Sequence, residues 1–250
     1  MMKNDEIKRS PVVKICNISK SFGHVQAIND ICINLFQGDI AAIVGDNGAG
    51  KSTLIKLLSG VYKQDEGYFI IFNDEVHKLT PELAISYGIT TVYQDLGLVD
   101  TLDVCSNIYL GKEIVKNKFF IDRSKMLEGA KNLIKRLDIN IPSIKVETSV
   151  LSGGQRQGVA ILRSINQGGK ILILDEPTAA MGVKESKIVF DLIRSLSEQG
   201  YTIILICHNL QQVFDISNRI IVLCHGKVTA DINTVNTSED EIVKYMSCLS

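Results

Sequence analysis

Three things are missing from this sequence of 250 residues, and each absence removes a class of function. There is no basic surplus: Lys and Arg total 27 against 28 Asp and Glu, for a net charge of -1. Proteins that live on nucleic acid carry a basic excess that neutralises phosphates, so no nucleic-acid partner is expected. There is no apolar run near the roughly 20 residues that a membrane-spanning helix needs. The longest runs, such as 203–207, suit buried strands, and the polar start at 1–11 lacks the apolar stretch of a signal peptide. Any membrane role is therefore expected to pass through a partner. There is also no Cys-x-x-Cys pair. Cys16, Cys32, Cys105, Cys207, Cys224 and Cys248 are scattered, and the spacing predicts small buried hydrophobes in a reducing cytosol, with neither a metal site nor a disulfide frame. Repeats, low-complexity tracts and long linkers are absent too.

What remains is 45% hydrophobic and 22% charged, ordinary for a globular protein and long enough to bury a sizeable core. Segments 12–16 and 31–35 read as strands of an N-terminal β layer. A short aliphatic strand ending in Ala41-Ala42-Ile43-Val44 runs directly into Gly45, and Leu54, Leu57 and Leu58 then fall at helical spacing. Further strands are expected at 68–72, 89–93, 171–174, 202–207 and 219–223. Between them the texture changes: Leu127, Ala130, Leu133, Ile134 and Leu137 share one helical face and β-type alternation disappears. The expectation is one α/β domain over 1–250 with a helical subdomain inserted at 95–166. Residues 186–198 predict an amphipathic helix with Ile188, Val189, Leu192, Ile193 and Leu196 inward, and Ser238 with Glu241 predicts a capping box that opens a last short helix.

Gly45-Asp46-Asn47-Gly48-Ala49-Gly50-Lys51-Ser52 matches the phosphate-loop pattern G-x-x-x-x-G-K-[ST], between a strand and a helix as that loop requires. Backbone N–H groups of such a loop, with a helix N-terminus behind them, attract phosphate oxygens. Lys51 would reach the β- and γ-phosphates of a nucleotide, and the Ser52 hydroxyl would meet Mg²⁺, with Thr53 following at the start of the helix. The aliphatic run Ile171-Leu172-Ile173-Leu174 ends in Asp175 and Glu176. Alone, that is a strand with two solvated acids. Beside a phosphate loop it predicts Asp175 as a Mg²⁺ ligand and Glu176 as the group that orients or deprotonates water. Leu151-Ser152-Gly153-Gly154-Gln155 reads as a second anion-binding helix N-terminus, distant in sequence from the first.

Taken together and in this order, the three motifs resemble those of the ATP-binding cassette (ABC) family, over about 12–228 of the chain. The resemblance implies a P-loop NTPase core of mostly parallel sheet, an N-terminal antiparallel β layer and an inserted α-helical subdomain. It also implies ATP as substrate, Mg²⁺ as cofactor, and a head-to-tail pair in which Ser152, Gly153, Gly154 and Gln155 of one copy close on the γ-phosphate held by the other. Further positions follow from it: Phe22 as the aromatic that stacks on adenine, Gln94 as a contact of Mg²⁺ and the attacking water, and His208 as the histidine that meets the γ-phosphate. One departure stands out. Where the family has a contact loop of the Ser-Ala-Leu-Asp kind, this chain has Ala179-Ala180-Met181-Gly182, which puts the acid's contact across the pair in doubt.

The stretches at 175–186, 207–214 and 95–100 are similar to ATPases of bacterial monosaccharide importers of the ribose, xylose and fructose kind. That resemblance implies a homodimer peripheral to the cytoplasmic face of the membrane. Its partners would be transmembrane permease subunits and, indirectly, an extracytoplasmic sugar-binding protein. A non-transport cassette acting as a nucleotide-switched interaction module, and an importer ATPase for another solute, remain open alternatives. The carried sugar has no signature in the sequence.

Overall fold

The computed structural model describes residues 10–117, 119–179 and 181–248. The chain's polar start at 1–9 and Ala180 of the contact loop lie outside these. Two long strands come first, β1 (Pro11–Phe22) and β2 (Val25–Phe36), followed by β3 (Ile40–Val44) and helix α1 (Lys51–Leu58). Then come β4 (Glu66–Ile71), β5 (Asp74–Val76), α2 (Pro81–Ser86) and β6 (Ile89–Val92). The next segment holds α3 (Val104–Tyr109), the hairpin β7 (Val115–Lys116) and β8 (Phe120–Ile121), α4 (Arg123–Arg136) and α5 (Gly153–Asn166). The chain returns to the sheet with β9 (Ile171–Asp175), α6 (Val183–Glu198), β10 (Thr202–Ile206), α7 (Leu210–Ile216), β11 (Arg219–Cys224), β12 (Lys227–Asn233) and α8 (Glu239–Met246).

A six-stranded sheet in the order β12-β11-β3-β10-β9-β6 lies at the centre, parallel except for the β11–β12 hairpin. Parallel strands are covered on both faces, which is why they read as unbroken aliphatic runs. Alternate residues serve two cores. Ala42, Val44, Leu172, Leu174, Ile203 and Leu205 join the helices α3 to α8. Ala41, Ile43, Ile171, Ile173, Ile204 and Ile206 join α1 and the four-stranded antiparallel sheet β2-β1-β4-β5. On α1 the predicted Leu54, Leu57 and Leu58 are all buried in this second core.

Several expectations need correction. The segment between β6 and β9 also contains the β7–β8 hairpin, whose ladder is only Val115 opposite Ile121 and Lys116 opposite Phe120, too short to leave a period in the sequence. The hairpin carries exposed apolar side chains, with Phe119 at 87% and Phe120 at 73%. On α6, Val189, Leu192, Ile193 and Leu196 are buried as expected, but Ile188 sits at the edge of the stripe and is 47% exposed. Ser238 does cap α8, accepting from Glu241 N at 3.4 Å, yet the Glu241 carboxylate turns to Thr237 and Tyr245, so no reciprocal box forms. The cysteines divide. Cys105 and Cys207 are buried thiols, Cys32 is exposed, and Cys224 is joined to Cys248 in a disulfide. Sequence spacing could not show that pair, because it forms only when α8 docks on β11 and β12 with Ile242 fully buried.

Truncating Ile204 to Ala at the centre of the sheet is expected to cost about 2–5 kcal/mol. Ile188→Ala, at the edge of the α6 stripe, should cost less than about 1 kcal/mol. Urea unfolding of both variants checks the assignment of the two side chains to core and edge.

Candidate nucleotide-binding site

The carboxyl ends of β3, β9 and β10 meet at one edge of the central sheet. Register sets the alignment: Ile206 pairs with Asp175 on one side and with Ile43 on the other. The loop leaving β3 therefore stands beside the acids leaving β9 and the histidine leaving β10. Ligands of α/β sheets bind at such carboxyl ends.

The loop is shaped by its glycines. Gly45 has φ 155°, and a Cβ there would lie 2.3 Å from the Leu223 carbonyl oxygen of the neighbouring strand β11. Gly50, at φ 108°, caps α1, and its Cβ would come within 2.6 Å of the Ala27 carbonyl oxygen. Both positions demand the absence of a side chain as well as the left-handed angle. With glycine as the N-cap, no side chain takes up the first N–H groups of α1, so they and the positive end of the helix are left for an anion. Lys51 is buried at the start of this helix, and its Nζ donates to the carbonyls of Gly45 at 2.7 Å and Asp46 at 3.0 Å. Burial pushes the lysine pKa down, against the opposing pull of Asp46, Glu176 and Asp175.

Asp175, half-buried at the end of β9, is pushed the other way: desolvation and then the neighbouring Glu176 raise its pKa above the usual carboxylate range. Glu176 holds a left-handed backbone at φ 49°, a conformation that costs a non-glycine residue about 1–3 kcal/mol. Its N–H donates to Ile206 O at 3.0 Å, and its Oε1 lies 2.8 Å from His208 Nε2. Beneath this pair is a support that sequence reasoning missed. The buried Thr178 hydroxyl donates to Gln212 Oε1 at 2.8 Å, and the Cys207 thiol donates to the same oxygen at 3.4 Å. Gln212 N is in turn fixed by the Asn209 side chain at 3.1 Å. A Gln on an amphipathic helix carries no signal of such a role in one sequence.

These groups surround a cleft of about 310 Å³. From the loop, Asn47, Gly48, Gly50, Lys51, Ser52 and Thr53 line it; from the strand ends, Asp175, Glu176 and His208. Gly45 and Ala49 build the loop without lining the cleft, while Ala27, which the sequence did not single out, does line it. A larger cleft of about 500 Å³ lies between α6 and α7, but no part of the phosphate loop borders it. The Ser52 hydroxyl and the Asp175 carboxylate, hard oxygen donors, both line this cleft, a set that suits Mg²⁺.

Other predicted residues stand apart from the cleft. Phe22, at the end of β1, is partly exposed, packs edge-on against Tyr62 with centroids 5.1 Å apart, and has Lys20 Nζ 5.4 Å from its ring. Gln94 is exposed in the loop two residues beyond β6. The pairing of Val92 with Leu174 puts it at the same sheet edge as Glu176 without lining the cleft. Ser152 caps α5 in a reciprocal box with Gln155, accepting from its N–H at 3.4 Å while Gln155 Oε1 accepts from Ser152 N at 3.1 Å. Gly153 and Gly154 press on the start of α6: a Cβ at Gly154 would lie 3.2 Å from Glu185 O. None of these four lines the cleft. Gly182, the departure in the contact loop, is the N-cap of α6 at φ -72°, with open space where a Cβ would stand, so nothing steric excludes an acid there.

Because the fold disfavours ionised Asp175, Asp175→Asn should stabilise the nucleotide-free protein. The penalty is absent below the ordinary carboxylate pKa of about 3.9 and complete above the raised folded value. A rise in Tm of roughly 2–4 °C is expected at pH 7 to 8, fading as the pH falls through that window. A gain independent of pH in thermal unfolding would contradict the assignment.

The chain is similar over most of its length to proteins of one known family. The profile of the ABC transporter family matches residues 28–179. The xylose/arabinose import ATP-binding protein XylG of Sulfolobus acidocaldarius is 40% identical over 95% of this chain and 94% of its own length. The fructose import ATP-binding protein FrcA of Rhizobium meliloti is 38% identical over 96% and 95%. The ribose import ATP-binding protein RbsA 2 of Escherichia coli O157:H7 is 37% identical over 95% of this chain, which spans only 46% of that relative. Among solved structures, a nucleotide-free ATP-binding cassette from an ABC transporter aligns with a TM-score of 0.81 at 26% identity, over 95% of each chain. A dimeric bacterial ABC transporter cassette aligns at 0.73 with 25% identity, over 89% of this chain and 98% of that one. With a phosphate loop, paired acids and a histidine at one edge of a parallel sheet, this chain belongs to the ABC transporter family as one of its ATP-binding, ATP-hydrolysing cassettes.

Proposed function

We propose that this cassette powers import of a monosaccharide through a separate membrane permease, working as a pair of identical copies. The observation that carries the sugar reading is the end-to-end match to import ATP-binding proteins for xylose/arabinose and for fructose, over 94% and 95% of their lengths. The chain would sit on the cytoplasmic face of the membrane, and an extracytoplasmic sugar-binding protein would deliver cargo to the permease. Among the described residues no helix is long and apolar enough to cross a membrane. Exposed Val115, Phe119, Phe120 and Ile121 of the β7–β8 hairpin give the insertion a surface suited to a partner.

In this reading the backbone of residues 45–51 and the N-terminus of α1 hold the phosphates, and Lys51 exchanges its carbonyl partners for phosphate oxygens. Phe22 stacks on the adenine. Ser52 and Asp175 would hold Mg²⁺, with Gln94 as a further contact from the next strand end, and the ion would neutralise charge on the phosphate oxygens. Glu176 takes the proton of the attacking water, and His208, 2.8 Å away, keeps that carboxylate aimed and meets the γ-phosphate. Ser152, Gly153, Gly154 and Gln155 complete the site of the other copy. Their absence from this chain's own cleft supports that division. Closure then follows from the tighter binding of nucleotide to the closed pair, and hydrolysis releases it.

Glu176→Gln should bind ATP without hydrolysing it and so accumulate as a closed pair. Light scattering with excess MgATP should show twice the monomer mass, and a variant that stayed monomeric would remove the two-copy reading. Cells with Lys51→Ala should lose uptake of one labelled monosaccharide from a panel. Unchanged uptake of every sugar would leave an ATPase that serves another solute or another task.

A further inference from the structure

The Cys224–Cys248 pair lies where it can act on the phosphate loop. β11 and β12 are joined by a two-residue turn, His225 at φ 45° and Gly226 at φ 76°, between the paired residues Cys224 and Lys227. This turn is built into the nucleotide site. Gly226 N donates to the Ala49 carbonyl inside the phosphate loop at 3.0 Å, and Asn29 N donates to the Gly226 carbonyl at 2.8 Å. One residue before Cys224, the Leu223 carbonyl is the group against which Gly45 is packed. The strand end at 223–226 therefore braces both Gly45 and Ala49. Cys248 follows the last turn of α8, whose Tyr245 carbonyl accepts from the Thr229 hydroxyl of β12 at 3.1 Å.

We propose that Cys224 and Cys248 form a reversible thiol–disulfide exchange site that sets how firmly the 224–227 turn braces the phosphate loop, and hence nucleotide affinity. Three features favour exchange over a permanent staple. Cys248 is exposed, so a small disulfide can reach it, whereas Cys224 is buried and suited to resolve the intermediate. The exposed His225 imidazole and the two sulfurs lie within 4.8 Å of one another, so a base stands ready to take a thiol proton. In a reducing cytosol, finally, a disulfide is typically transient and redox-sensing.

The step balances as follows. The Cys248 thiolate attacks one sulfur of oxidised glutathione, forming a mixed disulfide and expelling one glutathione thiolate. The Cys224 thiolate then attacks the Cys248 sulfur and expels the second. Two electrons pass from the protein thiols to glutathione, and the two thiol protons end on the two glutathione molecules. Oxidation ties the end of α8 to the turn and preorganises the loop that Gly226 holds. The oxidised form should bind nucleotide more tightly, by about fivefold or more. Linkage then requires bound nucleotide to make the disulfide harder to reduce by the same factor.

This inference rests on nucleotide binding at the cleft, and the experiment separates the two. The full chain is equilibrated in glutathione buffers of graded redox poise, and its free thiols are counted. The sequence has six cysteines, so full reduction should give six thiols and closure of the pair four (6 − 2). A fluorescent ATP analogue then reports affinity at each poise. The expected result is tighter binding in step with loss of two thiols, retained in Cys32→Ser and abolished in Cys248→Ser, which should bind like the reduced protein at every poise. Equal affinity of both forms would overturn the proposal and leave the nucleotide site intact. So would a count that stays at six in oxidised glutathione, or one Zn²⁺ per chain held by Cys224, His225 and Cys248 in place of the disulfide. Failure of either form to bind the analogue would remove the site reading and this one together.

Discussion

The molecule depends on the register of three parallel strands. Because Ile206 lies beside both Asp175 and Ile43, the chain leaves β3, β9 and β10 at nearly the same height. That alignment turns residues more than 120 positions apart in sequence (Thr53 and Asp175) into neighbours around one cleft. A parallel pair slipped by one residue would turn its inward aliphatics to the other face, and both cores would object at once. Ile43 and Ile173 fill one core while Ala42 and Leu174 fill the other. Two-sided burial is thus what holds this edge in place.

A second consequence follows from what comes after β9. The turn at 176–178 is locked to α7 through Thr178 and Gln212, and residues 181–185 run on against the glycines that open α5. Glu176 is thus tied to His208 directly, and Met181 and Glu185 further along the chain lie against Gly153 and Gly154 beside the Ser152 cap. Gly182 lies between Met181 and Glu185 with room for a side chain, so its lack of an acid weakens no packing within the chain.

Legibility in the sequence tracked how local each determinant is. The phosphate loop, the strand ending in Asp175 and Glu176, and the helix start at Ser152 are continuous segments whose chemistry and geometry are written in adjacent residues. Strand starts were shorter in the sequence than in space: β1 and β2 reach Phe22 and Val25 because they pair with each other, a partner that alternation in either strand alone does not reveal. Ala27, Gln212 and Gly226 act only through contacts made across the fold, so nothing in their own neighbourhoods marks them. The Cys224–Cys248 pair belongs with them, since its two halves meet through the docking of α8. Ile188 shows the opposite limit: helical periodicity gives the middle of a buried stripe well and its edge poorly.

The cleft is also where the fold tolerates its least comfortable groups. Lys51 is buried against neutral carbonyls, Asp175 carries a disfavoured charge, and Glu176 keeps a backbone angle suited to glycine. Elsewhere the record is mixed: buried Asn107 is held by several hydrogen bonds, whereas Gln64 Oε1, Thr90 Oγ1, Thr91 Oγ1 and Gln157 Nε2 are buried without a partner. Three such groups around one cleft are the expected mark of side chains positioned for a ligand and not for the free protein. An anionic nucleotide with its cation would meet each of these demands, giving Lys51 anionic partners and Asp175 a positive neighbour. Binding energy would then be drawn from relief of these unfavourable terms as well as from new contacts. It follows that the cleft should discriminate most strongly on the charged phosphate end of the nucleotide, where the uncompensated groups are, and least on the adenine, whose expected platform Phe22 lies outside the cleft.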